Sequence, residues 1–180
     1  GAADAALIDR ILDITEEATD TPASRICRAN AFAVLGAVAL SPAAGLAHVQ
    51  RCFRLWAVLQ EAGSPASVSP QLRFAGLAWQ LDRAMNSALA SMAASPAADA
   101  ALLQRVLLAT DRLSREGDFD RPAEALHVLG AMAQNANASL GVLRRVVGLA
   151  ERLAATCEEE GSECAPVAQR TLGALIRRLP

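Results

Sequence analysis

Arginine is the residue whose placement in this chain could do chemistry. A guanidinium is a rigid fork of donors that grips carboxylates and phosphates. All 17 basic residues of the sequence are Arg, and there is no Lys. Arg10, Arg51, Arg105 and Arg145 hold the same place in four similar stretches: AADAALIDRILDITEEA (2–18), AAGLAHVQRCFRLWAVL (43–59), AADAALLQRVLLATDRL (97–113) and NASLGVLRRVVGLAERL (137–153). These align without gaps. Arg112 and Arg152, seven residues further on, continue the same edge in the third and fourth stretches. Counting from the Arg as zero, the apolar positions +1, +4, +5 and +8 point about a third of a turn away on a helix. Two readings of these six candidate partner-binding residues stand. In one they line a surface that meets phosphates or an acidic partner. In the other each is a boundary Arg whose stem covers apolar surface while its head stays wet.

Other chemistry finds little support. Nucleophilic catalysis needs a Ser or Cys beside a base. The chain has two His, His48 and His127, neither with a nucleophile beside it in sequence, and no GxSxG. Glu16-Glu17 and Glu158–Glu160 read as solvated surface, and phosphate-loop motifs are absent. Cys27, Cys52, Cys157 and Cys164 form no CxxC pair and lie far from the histidines in sequence, which argues against zinc. The expected state of the cysteines is reduced and partly buried. A disulfide between Cys157 and Cys164, across a turn, is the alternative. Asn137-Ala138-Ser139 matches a glycosylation acceptor, but Asn at a helix start is more simply an N-cap. The sequence thus leads us to expect no catalytic residue, cofactor, metal or small-molecule substrate.

The elements that would position the arginines are helices. The chain is 53% hydrophobic but only 3% aromatic, and an Ala/Leu-rich mix enters helices at little entropic cost. The net charge of −2 gives no global positive field to recruit nucleic acid. No apolar run approaches the ~20 residues of a membrane span, and no stretch reads as a signal or transit segment. Gly1 rather than Met opens the sequence, as expected of a fragment or a processed product. Thr21-Pro22, Ser41-Pro42, Ser69-Pro70 and Ser95-Pro96 read as an N-cap followed by Pro in the first turn, with looser versions at Asp120/Pro122 and Pro166.

These starts predict eight helices: 3–19, one from Pro22, then about 42–61, 70–93, 96–116, 122–134, 137–156 and 166–178. In the first, Leu7, Ile8, Ile11, Leu12 and Ile14 are expected on one broad apolar face. The expected fold is all-α: an α-solenoid of four two-helix repeats, eight antiparallel helices in a single domain spanning 1–180. The repeats cover about 2–41, 42–95, 96–135 and 136–180. A glycine marks each second helix, Gly36, Gly76, Gly130 and Gly173, at 26, 25, 25 and 28 residues from its Arg. Such a glycine predicts close approach of a neighbouring helix. From Gly76 to Gly130 is 54 residues against 40 from Gly36 to Gly76, a surplus of 14. That surplus reads as a lengthened fourth helix, or as a break near Asn86-Ser87 with a small extra helix. Phe32, Phe53, Trp56, Phe74 and Trp79 are expected in the core.

The segments VSPQLRFAGLAW (68–79), DFDRPAEALHVLGAMA (118–133) and RANAFAVLGAVA (28–39) resemble the octotricopeptide repeats of organelle RNA-maturation proteins. Those repeats pair an apolar first helix with a turn often reading F-x-P-Q and a second helix like L-L-W-A-L-A. HEAT and armadillo repeats are similar in length. The resemblance implies a helical-repeat fold, an RNA partner, and a mitochondrial or chloroplast location within an intracellular one. The residues themselves lead us to expect a non-enzymatic interaction or scaffold module with a protein partner and no membrane, as a subunit of a larger assembly. The RNA-binding organelle factor is the alternative.

Overall fold

The computed structural model describes residues 2–19, 25–61, 77–116, 122–159 and 165–177. Among these the chain is all-α, with eight helices and no strand: α1 (Ala2–Thr19), α2 (Arg25–Leu40), α3 (Leu46–Glu61), α4 (Leu77–Ala94), α5 (Ala100–Glu116), α6 (Pro122–Gln134), α7 (Leu140–Glu159) and α8 (Ala165–Ile176). The chain divides into two units, Gly1–Met92 and Ala93–Pro180. In the first, α1, α2 and α3 pack on one another. In the second, α5 packs on α6 and α7, and α6 and α7 pack on each other and on α8. Within α1–α3 and within α5–α8, each helix therefore touches the next and the next but one.

The apolar stripes explain this packing. Cys52, Leu55, Trp56 and Leu59 of α3, Val106 and Leu113 of α5, and Val146, Leu149, Ala150 and Leu153 of α7 are buried at the stripe positions. Thr15 and Thr110 share the +5 register and are buried too. Their hydroxyls donate to the carbonyls of Ile11 and Val106, 2.8 and 2.9 Å away, so no buried polar group is orphaned there. Ala125, Leu126, Val128, Leu129, Met132 and Ala133 of α6 are buried nearly all round, as suits a helix between three others. Phe32, Phe53 and Trp56 lie in the core as expected. Phe74 is outside the described residues. The stripe of α1 departs from expectation: Ile8 and Leu12 are buried, but Leu7 and Ile14 are each 58% exposed.

Between hairpins the chain repeats one tight turn. In Ser41–Gly45, Ser95–Asp99 and Asn135–Ser139 the fourth residue's N–H donates to the first residue's carbonyl at 3.0, 3.1 and 3.1 Å. The first side chain accepts from the N–H two residues on, at 3.3, 3.3 and 2.9 Å. Ser41-Pro42 and Ser95-Pro96 are therefore not helix starts. They close the preceding helix, and the next begins with its own cap three or four residues later. Asp99 Oδ1 accepts from Leu102 N–H at 2.7 Å, and Ser139 Oγ from Val142 N–H at 3.3 Å. Helices α3, α5 and α7 accordingly start at Leu46, Ala100 and Leu140, later than the sequence suggested. Asn137 lies in a turn rather than at an N-cap. Pro122 does open α6, and the pairs Thr21-Pro22 and Ser69-Pro70 fall outside the described residues.

The turn also corrects the glycine register. Gly36 and Gly130 lie five residues before Ser41 and Asn135, and the residue five before Ser95 is Ala90, not Gly76. From Arg51 to Ala90 is 39 residues against 25 from Arg105 to Gly130, and five of that surplus of 14 lie within α4, which has 18 residues against 13 in α6; Gly76 itself lies outside the described residues. Helix α4 runs unbroken through Asn86-Ser87. Gly36 is buried, and a Cβ there would stand 3.3 Å from Ser91 Oγ and 3.4 Å from Ala88 Cα, so α2 and α4 approach closely at this point. Gly130 is half-buried, and a Cβ would stand 3.3 Å from Thr171 Oγ1, a hydroxyl that donates to Leu126 O. Gly36→Leu is expected to overpack α2 against α4 and cost about 1–3 kcal/mol. Gly148→Ala, at an exposed position with open space around it, should instead add about 0.5–1 kcal/mol through helix propensity. Thermal melts of the two variants, shifting in opposite directions, check this.

Of the cysteines, Cys27 and Cys52 are free thiols. Cys157 is disulfide-bonded, against the reduced state expected. Cys164 lies outside the described residues. Burial, outweighing a backbone hydrogen bond and the nearby Arg51 charge, pushes the Cys52 thiol from an ordinary 9.0 up to about 12. In the folded chain a thiol reagent at pH 8 should therefore modify exposed Cys27 and reach Cys52 only on unfolding. Above pH 9.0 the unfolded chain releases a proton that the folded chain keeps, so this stability is intact below 9.0 and is lost as pH rises through about 12. The slope in that window is at most about 1.4 kcal/mol per pH unit.

Candidate functional site

The repeated arginines sit on α1, α3, α5 and α7, and the structure does not treat them alike. Arg51 is half-buried and leaves α3 to meet α1. Its Nη2 donates to Asp13 Oδ1 at 2.7 Å and to Glu16 Oε2. Glu16 first and Asp13 second hold this guanidinium above its already high ordinary value, so it stays charged wherever the fold survives. One turn earlier on α3, His48 faces Asp9 of α1, Nε2 to Oδ1 at 3.3 Å. His48 Nδ1 accepts the Gly45 N–H at 3.0 Å, so the imidazole both caps α3 and faces α1. A row of three side-chain contacts thus straps α3 onto α1.

In the second unit the same task falls to a different arginine. Arg152 of α7 donates to Asp111 of α5, whose carboxylate also takes Arg115 of its own helix at 2.7 Å. Asp111 has the register of Glu16, six residues after its repeat's Arg. Arg145 is exposed and forms no ion pair or hydrogen bond among the described residues. The reason is visible on α5, where the counterpart of Asp13 is Leu108, 54% exposed. Arg10, Arg105 and Arg112 are exposed. Of the six candidates, then, Arg51 bridges α3 to α1 and Arg152 bridges α7 to α5, and the other four are exposed.

Sequence reasoning missed Asn135 and Asn137. Asn135 is buried, and its Nδ2 donates to Ala93 O at 2.8 Å and Ser95 O at 2.9 Å. Asn137 Nδ2 donates to Pro96 O at 3.0 Å and Ala98 O at 2.9 Å. Two side chains of one turn thereby clamp the carbonyls of the turn before it. The nitrogen that N-glycosylation would modify is the one engaged. The only signal in the sequence was the pair of amides two residues apart, at positions where the earlier turns carry Ser and Ala.

No group of three or more metal-ligating side chains occurs among the described residues. No described helix is long and apolar enough to cross a membrane. Comparison with known families, curated proteins and solved structures finds no match to this chain.

The ion pairs separate two of the arginines by experiment. Arg51→Gln is expected to cost about 0.5–1 kcal/mol, the scale of a partly exposed pair. Arg145→Gln, with nothing to lose, should stay within about 0.5 kcal/mol of the parent. Urea midpoints of the two single variants check the difference.

Proposed function

We propose that this chain is a non-enzymatic helical-repeat interaction module that holds a protein partner along the surface of its first helices. The observation that supports this is the repeated way each unit is assembled. In each unit two first helices are joined by an Arg–carboxylate bridge, α3 to α1 and α7 to α5, and the same tight turn recurs. Within each unit these devices hold the side chains of its two first helices in register. Arg10, Arg105, Arg112 and Arg145 are exposed on these helices, and guanidiniums suit the carboxylates of an acidic protein segment.

The test is capture by the intact chain and by an Arg10→Gln/Arg105→Gln/Arg145→Gln variant, with mass spectrometry of what is bound. A partner held by the parent and lost by a variant with an unchanged melting midpoint supports the reading. A partner held equally by both overturns the role of these arginines. RNA, the partner implied by the octotricopeptide resemblance, is tested with a labelled single strand. Binding that weakens with salt at a log–log slope of about −0.7 per phosphate contact would replace the protein reading with that one.

A further inference from the structure

Of the first helices, α5 and α7 are capped alike and α3 is not. On α5 and α7 the residue before the helix supplies an oxygen: Asp99 Oδ1 takes the Leu102 N–H and Ser139 Oγ the Val142 N–H. The matching residue before α3 is Gly45, which has no side chain to offer. The cap comes instead from the third residue of the helix. His48 Nδ1 reaches back and accepts the Gly45 N–H at 3.0 Å, from the place that Glu or Gln holds in a capping box. At the same register α5 and α7 carry Leu102 and Val142, both buried. The cap of α3 is therefore an imidazole nitrogen, an acceptor that a proton can occupy.

An accepting ring nitrogen is a bare one. Because Nδ1 takes an N–H, the single proton of the neutral ring is on Nε2. Nε2 faces Asp9 Oδ1 of α1, 3.3 Å away. The neutral ring thus serves two helices, capping α3 through one nitrogen and facing α1 through the other. A second proton ends this arrangement. Both nitrogens then donate, so Nδ1 sets a donor against the Gly45 N–H. The new charge also falls in the first turn of α3, where the helix dipole opposes a cation. On the other side Asp9 favours it. The remaining charges nearby are Asp13, one turn on along α1, and Arg51, one turn on along α3. α2, which also packs on α3, has no charged residue after Arg28. α4, which meets α3 at Trp56, has none after Arg83. Asp9 is thus the group that holds a charged ring, and the cap is what gives way.

We propose that His48 makes the start of α3 pH-sensitive: a proton taken from solvent on Nδ1 releases the Gly45 N–H and uncaps the helix, while Nε2 keeps Asp9. Histidine is the side chain that gains charge in mildly acidic solution, and His48 is 15% exposed, so water reaches it. The released N–H belongs to the last residue of the tight turn Ser41–Gly45, which loosens with the cap. The matching turn before α7 is capped by a hydroxyl, which gains no proton in that range. The response is confined to the first unit and stands apart from the partner proposed above.

Nuclear magnetic resonance of the intact chain between about pH 8 and 5 tests it. At the upper end the imidazole nitrogens of His48 should show the proton on Nε2 and a bare Nδ1. On acidification the Gly45 amide proton should shift with the same midpoint as the His48 ring. Its exchange protection should fall about fivefold, the factor that corresponds to a lost cap. The Val142 amide should not respond. His48→Gln keeps an acceptor in the capping place, so its Gly45 amide should stay protected at both ends of the range. His48→Leu, the residue found at this register in α5, should leave the Gly45 amide unprotected at both ends. A Gly45 amide that does not follow the His48 ring overturns the proposal. So does one that follows pH equally in His48→Gln, and so does a neutral ring that carries its proton on Nδ1.

Discussion

Trp56→Ala is expected to lower the stability of the first unit by about 3–5 kcal/mol, the largest effect of any single truncation in this chain. Trp56 is 1% exposed. Its ring stacks on Phe53 with centroids 5.7 Å apart and planes 22° from parallel. Its indole N–H donates to Met85 O at 3.1 Å, tying α3 to α4. Ala would remove the bulk, the stacking and the bond together. Trp56→Phe keeps most of the apolar volume and loses the donor, so it should cost about 1–2 kcal/mol. Urea unfolding followed by circular dichroism separates the two. If Trp56→Phe cost as much as Trp56→Ala, the hydrogen bond rather than the packing would be what matters.

Trp56 was legible as core because it stands on a helical stripe, and a 3.6-residue period survives whatever the neighbours are. The same holds for Val106, Leu149 and Leu153, and for the eight helices among the described residues. Ile14 was misread because periodicity says which residues share a face, not whether another helix covers all of it. The turns were misread for a different reason. Ser-Pro suits an N-cap with Pro at the next position, and it equally suits the first two residues of a tight turn. The true caps at Asp99 and Ser139 were in the sequence and lost out to the more familiar pair. Gly76, outside the described residues, was matched to Gly36 by counting forward across a segment of unequal length, whereas counting back from the turn gives Ala90. The bridges of Arg51 and Arg152 were out of reach. The place of an Arg along one helix says nothing of Asp111 or Glu16 on another until the helices are placed side by side.

Asn135→Ala should cost about 2–4 kcal/mol, although it removes only a small polar side chain from a turn. Asn135 is 6% exposed. Its amide nitrogen is the donor for Ala93 O and Ser95 O, and its amide oxygen accepts the Asn137 N–H. Removing it strands acceptors at the end of α4 and in the following turn, where a lost partner costs about 1–3 kcal/mol each unless water enters. It also loosens Asn137, whose own amide holds Pro96 O and Ala98 O. Asn135→Ser restores the residue found at the matching place in the other two turns, Ser41 and Ser95. It should keep the local turn, since a hydroxyl still accepts the N–H two residues on, while losing the reach to Ala93 and Ser95. An intermediate loss for Ser and a full loss for Ala, measured as unfolding midpoints, would show that the amide has two separable tasks. Equal losses would show that the clamp between turns carries the whole effect. Asn137→Ala, at an exposed site, should cost less than either, because water can reach the carbonyls it leaves behind.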